Sequence, residues 1–326
     1  MKNPLLLQTA SMAGGLLLGM ILLAPAVGGV AKGGVAEEGV MEEKAPDIRG
    51  RIPLDEFVIQ AHRGGGSRQP ENTLETCHFA WRLGVVPEVD IRQTKDGVVV
   101  AFHDKNFKRL VKGASPELQK KSVETLAWNE LKQLDVGAYL GARFAGRHPP
   151  KVSSIFAAMR GHPRRWLYLD IKKVALRKLA DMVKEHDIEK QVIMASTHHK
   201  LIREWKKLVP RSQTLLWMGG SDASKVKRFE ELEKADFEGI TSLQIHVKNI
   251  DLDSETKPFT PSPRFLLSVG KTLRSRKITF QSLPWGCSEA KVYHKLMDLG
   301  VESFASDSPE VTLKAVRDYY EHKDKR

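Results

Sequence analysis

Two histidines, an arginine and two carboxylates lie close together in the sequence and could act jointly on a phosphate ester. His62 and Arg63 follow an apolar run and lead into consecutive glycines, which let a backbone approach a ligand closely. Glu88 and Asp90 are two apart in another apolar run, so on a strand their side chains would face the same side. His103 ends the next extended run. Two histidines at neighbouring strand ends could serve as general acid and general base on one phosphodiester.

The paired carboxylates predict a metal site. Burying Glu88 and Asp90 side by side is costly unless a positive group neutralises them. A divalent cation does so, and ligation by oxygen alone suits Ca²⁺ or Mg²⁺, with Mn²⁺ also compatible. The alternative is a wet strand end where these carboxylates pair with Arg63 or Arg92. The neighbouring motifs favour the metal site.

Several polar residues near these motifs have a structural interpretation. Asn72 and Thr73 precede an apolar helical stretch, and we interpret both as capping residues. Glu71 could instead steer Arg63 through a carboxylate–guanidinium pair. Asp307 stands before the last predicted helix, and capping is our interpretation there too.

The elements that must position these residues alternate from Phe57 onwards. The predicted strands are Phe57–Ala61, Val86–Ile91, Val98–Phe102, Trp166–Ile171, Val192–Ala195, Thr214–Trp217, Gly239–Leu243, Ile278–Gln281 and Ser303–Ser306. The predicted helices are Leu74–Leu83, Val152–Met159, Val174–Glu185, His199–Leu208, Ala223–Lys234, Pro263–Arg274, Glu289–Leu299 and Pro309–Tyr320. This alternation indicates an α/β fold with a parallel sheet closed by helices. Lys105–Pro150 interrupts the rhythm and reads as a small insertion or lid.

Length and charge set further bounds. The chain has 326 residues, 41% of them hydrophobic, which suits one large domain with a sizeable core. A net charge of +12 favours anionic partners such as phosphate esters or lipid headgroups. Nucleic acid is not expected, because no motif with interleaved aromatic residues is present. Contact with a membrane surface stays open.

The N-terminus predicts export to the periplasm or the extracellular space. Residues 1–31 combine an early lysine, an apolar run and small residues, as in a signal peptide. An uncleaved N-terminal anchor is the alternative. Residues 32–51 are small and charged and predict a flexible linker, and residues 52–326 form the predicted folded domain.

The motifs taken in order resemble the glycerophosphodiester phosphodiesterase family. The most specific matches are His62-Arg63-Gly64, Pro70-Glu71-Asn72-Thr73, Glu88-x-Asp90, Lys95-Asp96-Gly97 and His103-Asp104. Weaker ones follow at Leu169–Lys172, Leu283–Trp285 and Ser306–Pro309. The resemblance covers about Phe57 to Tyr319.

The resemblance implies a (β/α)8 TIM barrel with a small insertion after the second strand. It also implies three carboxylate metal ligands, an acid/base pair, two cationic contacts to phosphate and one aromatic residue in the substrate groove. The resemblance assigns metal ligation to Glu88, Asp90 and Asp170, and the acid/base pair to His62 and His103. It assigns the phosphate contacts to Arg63 and Lys172, and the place in the substrate groove to Trp285. The implied reaction converts a small phosphodiester into glycerol 3-phosphate and an alcohol.

Two departures from the family pattern bear on the substrate. Asp170 stands where the family has Glu, one methylene longer, and Gly286-Cys287-Ser288 replaces the usual residues after Trp285. Two other functions therefore stay open. One is a phospholipase C- or D-like enzyme acting on phospholipid. The other is a non-catalytic barrel that binds an anion.

Overall fold

The computed structural model of the protein describes residues 45–65, 68–248, 250–254 and 257–321. The predicted signal peptide or anchor and residues 32–44 of the predicted linker lie outside the described residues. No helix in these described ranges is both long and apolar enough to cross a membrane.

Eight parallel strands form a closed barrel, which confirms the predicted fold. The first strand pairs with both the second and the last, and this double pairing closes the sheet. A short additional strand pairs antiparallel with β2. The strands are β1 (Ile59–Ala61), β2 (Val86–Gln93), β3 (Val99–Ala101), β4 (Leu167–Lys173), β5 (Val192–Ser196), β6 (Gln213–Met218), β7 (Ser242–Val247), β8 (Thr279–Pro284) and β9 (Ser303–Ser306), of which β3 is the antiparallel one.

Helices follow the barrel strands and cover the outside of the sheet. They are α1 (Leu74–Leu83), α2 (Pro116–Lys120), α3 (Trp128–Leu131), α4 (Val152–Met159), α5 (Leu176–Glu185), α6 (His199–Leu208), α7 (Asp222–Lys234), α8 (Pro263–Ser275), α9 (Ala290–Asp298) and α10 (Pro309–Glu321). Each long helix turns an apolar stripe towards the strands; α6, for example, buries Ile202 and Trp205.

Successive side chains of β2 and its neighbouring strands point alternately to the outer and the inner face of the barrel. Val89 and Ile91 point outwards into the core shared with the helices. The inner face is unusually polar, because Gln60, Gln244 and Gln281 meet inside the barrel and are buried. Gln244 donates to the other two side chains, so these amides satisfy one another away from water.

The insertion between β3 and α4 has a small core of its own. Phe107, Leu110 and Leu131 are fully or almost fully buried there. Arg92 of β2 donates to Glu124 of the insertion at 2.7 Å, so the insertion is anchored on the barrel strand that carries the paired carboxylates. The prediction of a small insertion is confirmed, and its apolar side chains face inwards.

The folded domain begins before residue 52, which differs from the predicted linker boundary. Ile48 lies in a short 3-10 helix and is fully buried in the main core. The backbone N–H of Ala45 also donates to the carbonyl of Asp298 at 3.1 Å. Ile48 packs into the main core, although the largely charged and small residues around it predicted a flexible linker.

Candidate active site

His62 and Asp307 are brought together by the closure of the barrel. Ala61 of β1 pairs with Ser306 of β9, so the residues that follow the two strands emerge side by side. His62 Nδ1 lies 2.6 Å from Asp307 Oδ1. Burial opposes the charged imidazole, but the hydrogen bond with Asp307 and the charge of Glu88 outweigh burial and raise the pKa of His62.

Arg63 occupies a tight turn directly after β1. Its φ of 52° is in the left-handed region, and its backbone N–H donates to Glu88 Oε2 at 2.6 Å. The next residue must be glycine, because a Cβ on Gly64 would lie 2.8 Å from Thr76 Cγ2. This turn holds the Arg63 guanidinium at the carboxyl ends of the strands, the face that carries the active sites of barrel enzymes.

Three carboxylates meet on β2 and β4. Asp90 pairs in register with Asp170, and Glu88 lies two residues earlier on the same face of β2. One oxygen from each of Glu88, Asp90 and Asp170 lies within 4.8 Å of the others. Burial and the charge of Asp90 raise the pKa of Glu88 to about 8. The three predicted metal ligands are therefore together, and Asp170 reaches the group despite its shorter side chain.

The chemistry of this donor set fits a hard divalent cation. Glu88 Oε1 and Asp90 Oδ1 are buried and accept no hydrogen bond within the described residues. A second cluster of Glu71, His103 and Asp104 has similar spacing. Arginine side chains already donate to both carboxylates of that second cluster. Buried oxygens that accept no hydrogen bond from the described residues therefore favour the group of Glu88, Asp90 and Asp170 as the candidate metal centre.

Lys172 neutralises part of this negative charge. Its Nζ lies 2.7 Å from Asp170 Oδ2 and 3.1 Å from Asp90 Oδ1, although only the contact with Asp170 has hydrogen-bond geometry. Burial would lower the pKa of Lys172, but the surrounding carboxylates raise it, so the ammonium stays charged. Lys172 also helps to hold the pKa of Asp90 below its ordinary value against the effect of burial.

Asn72 supports the same carboxylate from β2, although the sequence suggested only a capping role. Its Nδ2 donates to Asp90 Oδ2 at 2.8 Å, and its Oδ1 accepts from the Asp90 backbone N–H at 2.8 Å. Thr73 is the residue that caps α1, by accepting from the N–H of Thr76. The capping prediction is therefore confirmed for Thr73, whereas Asn72 orients a candidate metal ligand.

His103 is one member of a closed ring of five polar side chains that are joined by hydrogen bonds. Arg63 donates to Glu71 and to His103 Nε2, and Arg109 of the insertion donates two bonds to Glu71 and two to Asp104. Asp104 accepts from His103 Nδ1 at 2.7 Å, which completes the ring. We call these five residues the charged ring. The predicted pairing of Glu71 with Arg63 is confirmed, while Arg109 and Asp104 were not predicted as contributors.

Aromatic side chains line the opposite side of the barrel mouth. Trp285 follows β8, is 39% exposed, and lies edge-on to His62 with ring centroids 5.9 Å apart. Its Nε1–H donates to His246 Nδ1 at 3.0 Å. His246 in turn stacks on Trp217 at 5.1 Å. The predicted groove residue is in place, and Trp217 and His246 extend it.

The family model for the glycerophosphoryl diester phosphodiesterase family matches residues 62–311, the span that contains all these side chains. The chain belongs to this family. It is accordingly a phosphoric diester hydrolase with the family's barrel.

Two relatives and one solved structure resemble the chain along most of their own length. A glycerophosphodiester phosphodiesterase of Caldanaerobacter subterraneus subsp. tengcongensis is 24% identical over 80% of this chain and 98% of that protein. A human lysophospholipase D is 24% identical over 82% of this chain and 88% of its own. The structure of an Oleispira antarctica phosphodiesterase in complex with sn-glycerol-3-phosphate shares the fold, with a TM-score of 0.60 and 21% identity over 80% of this chain and 96% of that one.

Proposed function

We propose that the protein hydrolyses glycerophosphodiesters to glycerol 3-phosphate and an alcohol in a reaction that depends on a divalent metal ion. The observation that carries the proposal is the meeting of the buried carboxylates of Glu88 and Asp90 with the partly buried Asp170, beside Arg63 and two histidines that each pair with a carboxylate. The Caldanaerobacter relative is named for this activity, and the Oleispira enzyme holds the expected product.

Glu88, Asp90 and Asp170 would hold the metal ion. Their oxygens suit Ca²⁺ or Mg²⁺, and Mn²⁺ is also compatible. A bound cation would supply positive charge to the phosphate oxygens as negative charge builds up during attack. Asn72 fixes the carboxylate of Asp90, and Lys172 balances the remaining charge.

Arg63 would bind the phosphate. Its Nε is buried and has no hydrogen-bond partner within the described ranges, so a donor is available to a phosphate oxygen. Glu71 holds the guanidinium from the opposite side at 3.1 Å. Lys172 provides a second cationic group, close to the carboxylates of Asp90 and Asp170.

The two histidines have different surroundings, which suggest different roles. Asp307 raises the pKa of His62 and favours its protonated form, the form that donates a proton to the leaving alkoxide. His103 Nε2 accepts from Arg63, so its Nδ1 carries the hydrogen that faces Asp104. The lone pair on His103 Nε2 would take the proton from the attacking hydroxyl, either water or a hydroxyl of the substrate, once Arg63 turns to the phosphate.

Lysophospholipid is a second candidate substrate, because the human relative is named lysophospholipase D. The insertion does not favour it, since its large apolar side chains pack into their own core. Among the described residues, the exposed large hydrophobic side chains are Leu54, Val226 and Trp285. A small soluble diester therefore fits the mouth better than a lipid chain does.

We also propose export, on the basis of residues 1–31 alone. N-terminal sequencing of the protein from separated cell fractions would test this. A mature chain that begins after the apolar run would support a cleaved signal, and an intact N-terminus in the membrane fraction would support an anchor.

The proposed reaction is tested by release of glycerol 3-phosphate from chelator-treated protein. Ca²⁺, Mg²⁺ and Mn²⁺ are added separately, with glycerophosphoglycerol and glycerophosphocholine as substrates. A lysophospholipid is the third substrate, and lysophosphatidic acid is measured for it, because its acyl chain stays on the glycerol. His62→Ala and Glu88→Ala should abolish the activity, and the exposed residues His162→Ala and Glu117→Ala serve as matched controls. A folded protein that binds metal but cleaves none of the three would contradict hydrolysis and leave the non-catalytic anion-binding barrel.

A further inference from the structure

Three aromatic rings in contact with one another form one side of the barrel mouth, at the ends of β6, β7 and β8. His246 stacks on Trp217 with an interplanar angle of 7° and meets Trp285 edge-on, with centroids 5.7 Å apart. We call Trp217, His246 and Trp285 the aromatic wall. Gly219 of the following loop lies against it, because a Cβ there would be 3.1 Å from His246 Nδ1.

The aromatic wall borders the position of the reacting phosphate. Trp285 is in edge contact with His62, which belongs to the proposed acid/base pair. The exposed part of its indole is therefore available to a group attached to a phosphate held beside His62 and Arg63.

Both indole rings of the wall have an ammonium of this chain near them. The ammonium of Lys248, the residue after β7, lies 6.0 Å from the centroid of the Trp285 ring. The ammonium of Lys172 lies 5.9 Å from the centroid of the Trp217 ring. A cation over an indole is attracted by the ring, so the ammonium of Lys248 occupies the place over Trp285 that a cationic substrate group would take, whereas Lys172 is held by Asp170 and Asp90.

More positive charge lies behind the wall. Lys225, in the first turn of α7, is 1% exposed and is paired with Asp222 at 3.4 Å. Arg228 of the same helix donates to the backbone carbonyl of Thr197 at 2.8 Å. Burial, together with these cations, lowers the pKa of His246 to about 3, so the ring of the wall is neutral.

The acidic side chains of the site lie on the other half of the mouth. They come from β2 and β4, from the residue after β9 and from the segments that follow β1 and β3: Glu71, Glu88, Asp90, Asp104, Asp170 and Asp307. Lys172 lies with these carboxylates at the candidate metal centre, whereas Lys248 lies beside the aromatic wall.

We propose that the aromatic wall selects diesters whose alcohol group carries no positive charge, a neutral polyol or an anion, and disfavours quaternary ammonium alcohols such as choline. The inference rests on the proposed function and specifies its substrate class. Hydroxyl or anionic oxygens can accept from the ammonium of Lys248 while the carbon skeleton packs on Trp285. A choline group would have to displace that ammonium or lie beside it, and like charges at this separation repel.

The test compares kcat/KM for glycerophosphoglycerol and glycerophosphocholine, with glycerol 3-phosphate measured for both. The wild-type protein should prefer glycerophosphoglycerol by about tenfold. Lys248→Glu should bring the ratio to about one or reverse it, and Lys248→Met should fall between. Lys271→Glu makes the same charge change at an exposed position in the later half of α8, away from the mouth, and should leave the ratio unchanged.

The possible failures are distinguishable. Equal or faster cleavage of glycerophosphocholine by the wild-type protein would overturn the inference and leave the hydrolysis intact. So would a ratio that Lys248→Glu does not move. Cleavage of neither diester would overturn the proposed function, and the inference with it.

Discussion

Asn72 is the residue on which the geometry of the candidate metal centre depends most directly. It holds Asp90 by two hydrogen bonds of 2.8 Å, one to the side chain and one from the backbone. Its φ of 57° is a conformation that glycine adopts without strain, so Asn72→Gly removes the amide group while the turn is retained.

We expect Asn72→Gly to weaken divalent metal binding by about tenfold to a hundredfold, because residues that orient metal ligands have effects of this size. Titration of the chelator-treated protein with Mn²⁺, followed calorimetrically, measures this without reference to turnover. Asn106→Gly, at an exposed position, is the control. Equal affinity in both variants would show that Asp90 does not need Asn72.

The burial of His246 predicts how the free energy of unfolding depends on pH. Its folded pKa of about 3 lies below the ordinary value near 6.5 because the ring is buried among cations. The unfolded chain therefore binds the extra proton between these two values. Stability is fully present above about pH 6.5 and is lost as the pH falls towards 3.

Between pH 7.5 and pH 5, the wild-type protein should lose about 2 kcal/mol more unfolding free energy than His246→Gln, given about 1.4 kcal/mol per pKa unit. Urea unfolding at the two pH values measures the difference. His162→Gln, an exposed substitution, should behave like the wild type. If His246→Gln loses as much stability as the wild type, the imidazole is not buried in its neutral form.

At the scale of elements, the insertion contributes Arg109 to the site, and the hydroxyl of Tyr139 accepts from the backbone N–H of Glu71 at 3.2 Å. Arg109 donates four hydrogen bonds of 2.6–2.9 Å, two to Glu71 and two to Asp104, and Asp104 in turn accepts from His103. The planar guanidinium suits two carboxylates at once, which lysine could not match. Arg109 is thus a positioning residue for His103.

Arg109→Met should lower kcat by about tenfold to a hundredfold, a fraction of the full effect of an acid/base residue, with little change in KM. Steady-state kinetics measures kcat and KM separately, and circular dichroism checks that the variant is folded. Arg143→Met replaces an exposed arginine of the same insertion. A rise in KM with unchanged kcat would indicate instead that Arg109 contacts the substrate.

The elements also show which sequence signals are reliable. Helix α1, α4 and α6 begin and end at the predicted residues, since each has a clear apolar stripe. Strand β7 spans Ser242–Val247, whereas the prediction was Gly239–Leu243. The inward side chains of β7 include Gln244 and His246, so a search for apolar runs misses its second half.

At the scale of the whole molecule, the segment before residue 52 is part of the fold. Ile48 is completely buried, while Leu54, a few residues later, is 38% exposed. Ile48→Ala should therefore reduce the free energy of unfolding by about 2–4 kcal/mol. Leu54→Ala should change it by less than about 0.5 kcal/mol. Urea unfolding of both variants measures the contrast, and equal effects would show that Ile48 does not belong to the core.

The site was predictable where neighbours in sequence are neighbours in space. Glu88 and Asp90 share a face of one strand, so their spacing alone indicated the carboxylate pair. The partnership of His62 with Asp307 joins the two ends of the domain and depends on the register of β1 against β9. The register of β1 against β9 cannot be predicted from the residues next to Asp307 in the sequence, so Asp307 could be interpreted only as a helix cap.

The charged ring has a consequence for anyone who exchanges loops between related barrels. Its members come from both sides of the boundary between barrel and insertion, so that boundary is not a natural cutting point. A foreign loop without an arginine at the position of Arg109 would leave the buried carboxylate of Glu71 with one partner fewer and Asp104 with only its contact to His103 among the ring residues. A successful transplant would have to carry Glu71, Asp104 and Arg109 together as one inherited unit.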